Sequence, residues 1–355
     1  MKMIYKGSIS VLLIFAVVFV PQNLYKSLNT DKITEEMYSR REKYYYGVIT
    51  LWQIDCFEGG TGSRANWLKS IVSGFEKRNN GVYVSIENLS VEMANKLIES
   101  GQKKPDIISW GTGVNIQKEQ LENLDIENTP QDVIDAVYET AVPWCMGAYF
   151  MIGDGDSEKW GLDGEIITTK KAQKTVYSVG VPQRNGYVSL KALTTNCTNS
   201  FNDEKALLLG TSQEIFEAYN YSKKVNRMIG TQRDFYRLSQ AQTKENARQG
   251  EIQFLGYTDL FQYVSVLKCD NEKKVKTMND FVDFLLEEEQ QNNLGSIGMF
   301  PVTFSAQPEY DNSFAQTGWE SIKKQGIKCS SFVFQKGIGE EEQKKCLEFL
   351  QKRSN

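Results

Sequence analysis

Val48-Ile-Thr-Leu-Trp-Gln-Ile54 is an apolar run that predicts a buried β-strand. The run opens into the loop Asp55-Cys-Phe-Glu-Gly-Gly-Thr-Gly62, and Ser63 then offers a suitable N-cap for a helix. Apolar residues recur after this cap with the 3.6-residue period of an amphipathic helix, at Trp67, Leu68, Ile71, Val72 and Phe75. A glycine-rich loop is therefore predicted to link a buried strand to a helix N-terminus.

The alternation of strand and helix continues along the chain. Val82-Tyr-Val-Ser-Ile86 predicts a second strand, a second helix follows from Ser90, and Asp106-Ile-Ile-Ser-Trp110 predicts a third strand. The order β-α-β-α-β is typical of a parallel, doubly wound α/β sheet. Such sheets bind ligands beyond the carboxyl ends of their strands. We therefore expect the loop 55–62 and the loop Trp110-Gly-Thr-Gly113 to lie side by side at a site.

The order of residues in this stretch also resembles a known family. The resemblance is carried by Trp52-Gln at the end of the first strand, by Phe75-Glu-Lys-Arg-Asn-Asn-Gly-Val-Tyr-Val84 and by Pro105-Asp-Ile-Ile-Ser109. These phrases are similar to the N-terminal lobe of family 1 extracytoplasmic solute-binding proteins, which are the receptors of bacterial ABC importers. Similar segments follow in the same order at Val142-Pro-Trp144 and at Ile297-Gly-Met-Phe-Pro-Val302.

The resemblance implies the architecture of the whole chain. We expect an α/β, two-lobe fold like that of type II periplasmic binding proteins, in which each lobe is a mostly parallel sheet flanked by helices. Residues 45–149 and 257–303 would form the first lobe, and residues 150–256 and 304–355 would form the second. At 355 residues the chain is long for one hydrophobic core, which also favours two lobes.

Crossover strands are expected to form the hinge between the lobes. One strand from Val142 to Ile152 would leave the first lobe, and a strand from Tyr257 to Leu267 would return to it, beside the first. Apolar periodicity predicts further helices at 116–124, 130–140, 212–227, 277–289 and 340–352.

The N-terminus has the pattern of an export signal. Lys2 and Lys6 precede an uncharged apolar run from Ile9 to Val20, as in the n-region and h-region of a secretory signal. The uncharged stretch is also long enough to span a bilayer, and neither a small-x-small cleavage site nor a lipid-accepting cysteine follows it. We therefore interpret residues 1–28 as a signal peptide or membrane anchor and residues 29–44 as a tether. The protein would be held at the extracellular face of the cytoplasmic membrane or secreted.

Composition excludes several classes of function. A net charge of -4 gives no basic surface for nucleic acid. Histidine is absent, which removes the commonest general base and the usual zinc ligand. The six cysteines lie far apart without a CxxC pair, so they form no metal motif, and free thiols are favoured over disulfides. We expect no metal and no cofactor.

The candidate site combines aromatic and polar residues, because sugars present flat C–H faces to aromatic rings and hydroxyl groups to polar ones. Aromatic candidates lie at predicted strand ends, crossovers and a late helix: Trp52, Trp110, Trp144, Tyr149, Tyr257 and Trp319. Taken singly, each of these is more often a core residue than a ligand contact. Polar candidates are Glu58, Arg64, Gln232, Arg233, Asp234 and Asp259.

Three of the polar candidates rest on the resemblance. Gln232, Arg233 and Asp234 lie in Met228-Ile-Gly-Thr-Gln-Arg-Asp-Phe-Tyr-Arg-Leu238, which is similar to a family segment in which a short strand reaches a glycine and the following loop touches solute. A structural ion pair is an equally good interpretation of the adjacent arginine and aspartate.

These observations favour a binding protein that captures a small polar solute, with a carbohydrate as the favoured solute, and delivers it to an ABC permease. A ligand-sensing adaptor for a membrane signalling protein has the same fold and is the alternative. An extracellular glycosidase using Glu58, Asp55 or Asp259 is less favoured, because no spaced acidic motif supports it. We therefore expect a monomer that is not an enzyme.

Overall fold

The computed structural model describes residues 44–153, 175–178, 207–209, 212–225, 227–243, 248, 250–331 and 333–334. Strands and helices within these ranges build two five-stranded sheets and one short two-stranded sheet. The described residues from Val48 onward belong to one compact unit. The larger sheets are flanked by helices, so the predicted α/β class is confirmed.

The strands are β1 (Gly47–Ile54), β2 (Val82–Leu89), β3 (Ile107–Trp110), β4 (Val142–Met146), β5 (Tyr149–Gly153), β6 (Thr175–Ser178), β7 (Leu207–Leu209), β8 (Arg227–Thr231), β9 (Glu251–Phe254), β10 (Tyr257–Thr258), β11 (Phe261–Val266) and β12 (Lys328–Cys329). The α-helices are α1 (Arg64–Arg78), α2 (Val91–Ser100), α3 (Ser212–Asn220), α4 (Gln232–Gln242), α5 (Glu272–Leu286), α6 (Glu288–Asn292) and α7 (Ser313–Gln325).

The first sheet has the strand order β2-β1-β3-β11-β4. β1 and β3 are parallel, whereas β11 runs antiparallel to both β3 and β4, so the sheet is mixed. The predicted β-α-β-α-β order from β1 to β3 is confirmed, with α1 and α2 as its helices. Both helices begin where the sequence predicts: Ser63 Oγ accepts a hydrogen bond from the Asn66 amide and Ser90 Oγ from the Met93 amide.

Aromatic side chains fill the core between the first sheet and its helices. Trp67 of α1 stacks on Trp144 of β4 with 5.0 Å between ring centroids. Phe75 lies about two turns further along the same face of α1. Its ring packs edge to face against the ring of Phe281 in α5. The apolar stripe predicted for α1 is therefore the surface that α1 buries.

The second sheet has the order β7-β6-β8-β5-β9. β6 is parallel to β7 and β8, whereas β5 is antiparallel to β8 and β9. Phe150 of β5 contacts Phe235 of α4 and Phe254 of β9, at 4.7 and 5.5 Å between centroids. Gly318 of α7 lies so close to these rings that a Cβ atom there would be 3.1 Å from Phe150. In each sheet the antiparallel strand is one that the chain enters after crossing from the other sheet.

Two connections between the sheets lie side by side, and we name them the crossing strip (residues 147–148 and 255–260). The Gly147 amide donates to the Leu260 carbonyl at 2.8 Å, and Thr258 Oγ1 donates to the Gly147 carbonyl at 2.6 Å. The predicted continuous strand from Val142 to Ile152 is wrong, because the chain changes sheets at Gly147. A Cβ atom at Gly147 would lie 2.7 Å from the side chain of Gln232, so glycine permits this close approach.

The returning strand is also divided. Tyr257 and Thr258 form β10, which pairs in parallel with β12, and β11 begins only at Phe261. A third connection leaves the first sheet at Phe300, whose amide and carbonyl both pair with Met146. It continues to α7, which packs on β9 and α4.

Two of the predicted helices are absent from the described residues. Only short 3-10 turns, Lys118–Gln120 and Gln131–Ala136, occur in the regions predicted as 116–124 and 130–140. The backbone there pairs with its neighbours instead, since the Glu122 amide donates to the Val266 carbonyl at 2.9 Å. The helix predicted from Ser212 ends at Asn220. The predicted closing helix 340–352 lies outside the described residues.

Candidate functional site

The loop between β1 and α1, residues 55–62, forms one side of the candidate site, and we name it the glycine loop. The Thr61 and Gly62 amides both donate to the Ile297 carbonyl, at 3.0 and 3.3 Å. A Cβ atom at Gly60 would lie 2.3 Å from the Gly298 carbonyl oxygen, which leaves room for no side chain. Backbone contacts therefore fix the loop to the 3-10 turn Asn293–Ile297 beside the first sheet.

Arg64 holds the base of the glycine loop. Its Nε donates to Asp55 Oδ1 at 2.8 Å, its Nη2 donates to the Phe57 carbonyl, and its guanidinium lies 4.4 Å from the centre of the Phe57 ring. The Arg64 side chain is 2% exposed, whereas that of Asp55 is 45% exposed, so only the arginine of this ion pair is shielded from water. Arg64, a predicted ligand contact, is placed here as a support of the loop, with only its Nη1 atom lacking a hydrogen-bond partner among the described residues.

The first turn of α4 forms the opposite side of the site. Thr231 caps this helix and Asp234 completes a capping box, because the Thr231 amide donates to Asp234 Oδ2 at 3.0 Å. Gln232, Arg233 and Asp234 were predicted in a loop after β8, and that local prediction is wrong because the box starts a helix at Gln232. Arg233 and Arg237 consequently lie one turn apart on one face of α4.

The two sides meet through four hydrogen bonds, which we name the seam. Arg233 Nη1 donates to the Gly60 carbonyl at 2.6 Å, and Gln232 Nε2 donates to the Glu58 carbonyl at 3.2 Å. Glu58 Oε1 accepts from Arg237 Nη2 at 3.3 Å and from Ser212 Oγ, at the start of α3, at 3.2 Å. The glycine loop of the first sheet and two helices of the second sheet are thus in direct polar contact.

Gln232 connects the seam to the crossing strip. The side chain is fully buried, and its Oε1 accepts from the Ala148 amide at 3.2 Å. Its Nε2 also lies 3.8 Å from the sulfur of Met299. One amide therefore contacts the glycine loop, the crossing strip and the segment after residue 298.

Asp234 orients Arg237, one of the two arginines of the seam. It is 2% exposed, and burial raises the pKa of its carboxyl while Arg237 and the Thr231 amide lower it. Arg237 Nη1 donates to Asp234 Oδ1 at 2.8 Å, which leaves Nη2 for Glu58. The hydrogen-bond partners of Asp234, a predicted ligand contact, are therefore Arg237 and the Thr231 amide of the helix cap.

Asp259 of the crossing strip meets Tyr149, the first residue of β5. Tyr149 donates its hydroxyl hydrogen to Asp259 Oδ1 at 2.7 Å, whereas Asp259 Oδ2 has no hydrogen-bond partner among the described residues. Burial raises the pKa of the Asp259 carboxyl to about 7, against the lowering effect of the Tyr149 hydroxyl. The crossing strip thus holds a carboxyl group that is neutral or charged depending on pH near neutrality.

The predicted aromatic candidates occupy the core. Trp52, Trp110, Trp144 and Trp319 have no exposed surface, and Tyr257 is 5% exposed. Two of the indoles donate hydrogen bonds within the core: Trp110 Nε1 to Ser265 Oγ at 2.9 Å and Trp144 Nε1 to Ser109 Oγ at 3.0 Å. The ring of Trp319 stacks on Phe300. In this conformation these rings have no face to offer a solute, because large apolar rings gain most by complete burial.

The site also contains residues that the sequence reasoning missed. Arg237, Ser212 and the Gly60 carbonyl take part in the seam, and Phe57 is a half-buried ring in the glycine loop. The capping box Thr231-Gln-Arg-Asp234 was the available signal for Arg237, since a helix starting there aligns Arg237 with Arg233. The predicted neighbour of the glycine loop is in place: a Cβ atom at Gly111 would be 2.9 Å from Cys56 Cβ.

The described thiols are free, and two of them, Cys56 and Cys145, are buried. Cys56, Cys145, Cys269 and Cys329 form no disulfide, and burial raises the pKa of Cys56 and Cys145 to about 12. Within the described ranges, no group of three or more cysteine or acidic side chains could hold a metal ion. No helix in those ranges is long and apolar enough to cross a membrane, and residues 1–43, with the predicted signal or anchor, lie outside them.

The fold is similar to that of several solved structures. The chain is similar to the spermidine/putrescine ABC transporter substrate-binding protein PotD of Streptococcus pneumoniae, with a TM-score of 0.55, 11% identity and coverage of 87% of this chain and 99% of that one. It is similar to the cyclic alpha-maltosyl-1,6-maltose binding protein of Arthrobacter globiformis, with a TM-score of 0.54, 11% identity and coverage of 87% and 93%. It is also similar to iron-bound HitA of Pseudomonas aeruginosa, with a TM-score of 0.52, 13% identity and coverage of 87% and 99%.

These likenesses define the class of fold. The chain has the type II periplasmic-binding-protein fold over 87% of its length. No protein-family model and no curated protein sequence matches the chain. At identities of 11 to 13% the likeness establishes the architecture, and the bound solutes of the three proteins are properties of those proteins.

Proposed function

We propose that this chain is the solute-binding protein of an ABC importer and that it captures a carbohydrate between two lobes. The proposed lobes are residues 45–149 with 257–303 and residues 150–256 with 304–355. The seam is the proposed binding cleft in its closed form. The protein would act as a monomer at the outer face of the cytoplasmic membrane, anchored by residues 1–28 or secreted, and would deliver its solute to a permease.

The observation that carries this proposal is the polarity of the seam. In all four of its hydrogen bonds the donor belongs to α3 or α4 and the acceptor belongs to the glycine loop. A solute that bridges the same two sides must accept hydrogen bonds from the helices and donate hydrogen bonds to the loop. Hydroxyl groups do both.

Other classes of solute match this polarity less well. A polyamine has only donors, and an inorganic oxoanion offers chiefly acceptors, so each could satisfy one side of the seam. A metal cation would need several acceptor ligands, and α4 presents donors instead. The maltosyl-binding relative from Arthrobacter globiformis is consistent with a carbohydrate in this fold.

The acids of the site do not favour an enzyme. Asp55 is paired with Arg64, Glu58 with Arg237, and Asp259 accepts from Tyr149. A glycosidase needs two carboxyl groups facing one glycosidic bond, one of them free to attack or to activate water. In this conformation Asp55 and Glu58 are each paired with an arginine, and one oxygen of Asp259 accepts from Tyr149.

Thermal unfolding of the full-length chain tests the proposal. We would measure it with a panel of mono- and oligosaccharides, with spermidine and with ferric ion, each at several concentrations. A saturable rise of several degrees with a sugar is expected, since a ligand at 100 times its Kd stabilises by about 2.7 kcal/mol. A rise with spermidine or ferric ion and none with any sugar would overturn the carbohydrate assignment. Release of a cleaved sugar would overturn the non-enzymatic function.

A further inference from the structure

Glu58 is the one side chain of the glycine loop that takes part in the seam. A single oxygen, Oε1, accepts hydrogen bonds from Ser212 of α3 and Arg237 of α4. The Glu58 side chain is 50% exposed, so water can compete for these contacts. The other seam bonds use backbone carbonyls of the loop, at Glu58 and Gly60.

Both partners of this contact are fixed on their own side. Arg237 is held by the buried Asp234, and Asp234 is held by the Thr231 amide. On the opposite side the Thr61 and Gly62 amides hold the glycine loop to Ile297. Separation of the two sides would therefore break the contacts of Glu58 without disturbing either anchor.

We propose that Glu58 is a latch that holds the cleft closed when no solute is bound and that a solute must displace it to enter. The inference rests on the proposed two-lobe function and adds an internal competitor to it. An exposed ion pair contributes little, so the latch favours the closed form by a small factor and can be released. A buried pair in the same place would hold the site shut.

Hydrogen–deuterium exchange on the full-length, solute-free chain tests the latch. Glu58→Gln keeps the shape of the side chain and removes its charge, whereas Glu58→Lys places a like charge beside Arg237. We expect amide exchange to become roughly two- to five-fold faster with Glu58→Gln, and faster still with Glu58→Lys. The change should occur both in the glycine loop and in the first turn of α4, because opening exposes both.

Two controls make the experiment decisive. Glu87→Gln removes an exposed ion pair with Lys103, away from the seam, and should leave exchange in both segments unchanged. Wild-type protein in 1 M salt should exchange like Glu58→Gln without any mutation, since salt screens exposed charges. Unchanged exchange in Glu58→Lys, or a change confined to the glycine loop, would overturn the latch. Because no solute is present, the result is independent of whether the sugar panel succeeds.

Discussion

The tryptophan core of the first sheet and the seam lie close along the chain but differ in chemistry. The core is aromatic and buried, whereas the seam is made of polar groups. Trp52 and Trp110 stand at the carboxyl ends of β1 and β3 and are fully buried. A few residues beyond Trp52, the glycine loop meets α4 through carbonyl oxygens, a carboxylate and two guanidinium groups. The difference teaches that large rings are directed to the core, whereas small residues with polar neighbours form the seam.

The largest expected effect tests the core alone. Trp144→Ala removes the stack on Trp67 and the hydrogen bond to Ser109, and should lower the free energy of unfolding by about 3–5 kcal/mol. Denaturant unfolding measures it. Tyr83→Ala, at an exposed ring of β2, is the control and should change stability by less than about 0.5 kcal/mol. Equal losses for the two variants would show that Trp144 is not a core residue.

The next effect lies at the crossing strip and depends on pH. The pKa of Asp259 is about 7 in the folded protein and about 3.9 for an unfolded aspartate. Between these values the folded chain binds more protons, so the free energy of unfolding should fall as pH rises from about 4 to about 7. Asp259→Asn should remove this fall, a difference on the order of a few kcal/mol.

Denaturant unfolding at a series of pH values checks the prediction for Asp259. Asp280→Asn, at a partly exposed aspartate of α5 paired with Lys276, is the matched control and should keep the wild-type slope. A wild-type slope in Asp259→Asn would mean that another group causes the dependence.

The third prediction separates binding from stability. Arg233→Ala removes a guanidinium that lies in the seam beside the Gly60 carbonyl and that we expect to donate to the bound sugar. It should weaken sugar binding about tenfold or more, because a charged hydrogen bond to the sugar contributes roughly 1.5–3 kcal/mol. Titration calorimetry with the sugar that gives the largest thermal shift measures this, and the unfolding temperature should hardly change. Lys103→Ala, at an exposed lysine, is the control. Unaltered affinity would remove Arg233 from the site.

The smallest effect joins the two regions. Gly60→Ala places a Cβ atom against the backbone of Ile297 and Gly298 and should lower stability by about 1–3 kcal/mol while shifting the carbonyl that Arg233 uses. Gly59→Ala is a matched control one residue away, since its nearest atom would be 3.7 Å distant. Calorimetric unfolding measures the loss of stability, and the sugar titration measures the effect of the shifted carbonyl on binding. Similar behaviour of the two alanines would contradict the steric argument.

The sequence predicted well what depends on short-range pattern. The start of α1 at Ser63, its apolar stripe and the order of β1 to β3 follow from local periodicity and capping. The place of Trp144 could not be predicted in this way, because its burial depends on Trp67 and on helices far along the chain. The first turn of α4 was mistaken for a loop although Thr231 and Asp234 form a recognisable capping box.

The crossing strip is the line along which two connections between the sheets lie side by side. Gly147, Thr258 and Leu260 are joined by hydrogen bonds, and Phe300 pairs with Met146 beside them. In the proposed opening of the two lobes, we expect one sheet to rotate against the other about this line. The displacement of an atom would then grow with its distance from the crossing strip. Gln232, which accepts a hydrogen bond from the Ala148 amide in the strip, should move least when the two sheets separate. In the proposed opening, a rotation of a few degrees would therefore widen the outer edge of the cleft while leaving the inner margin almost unmoved.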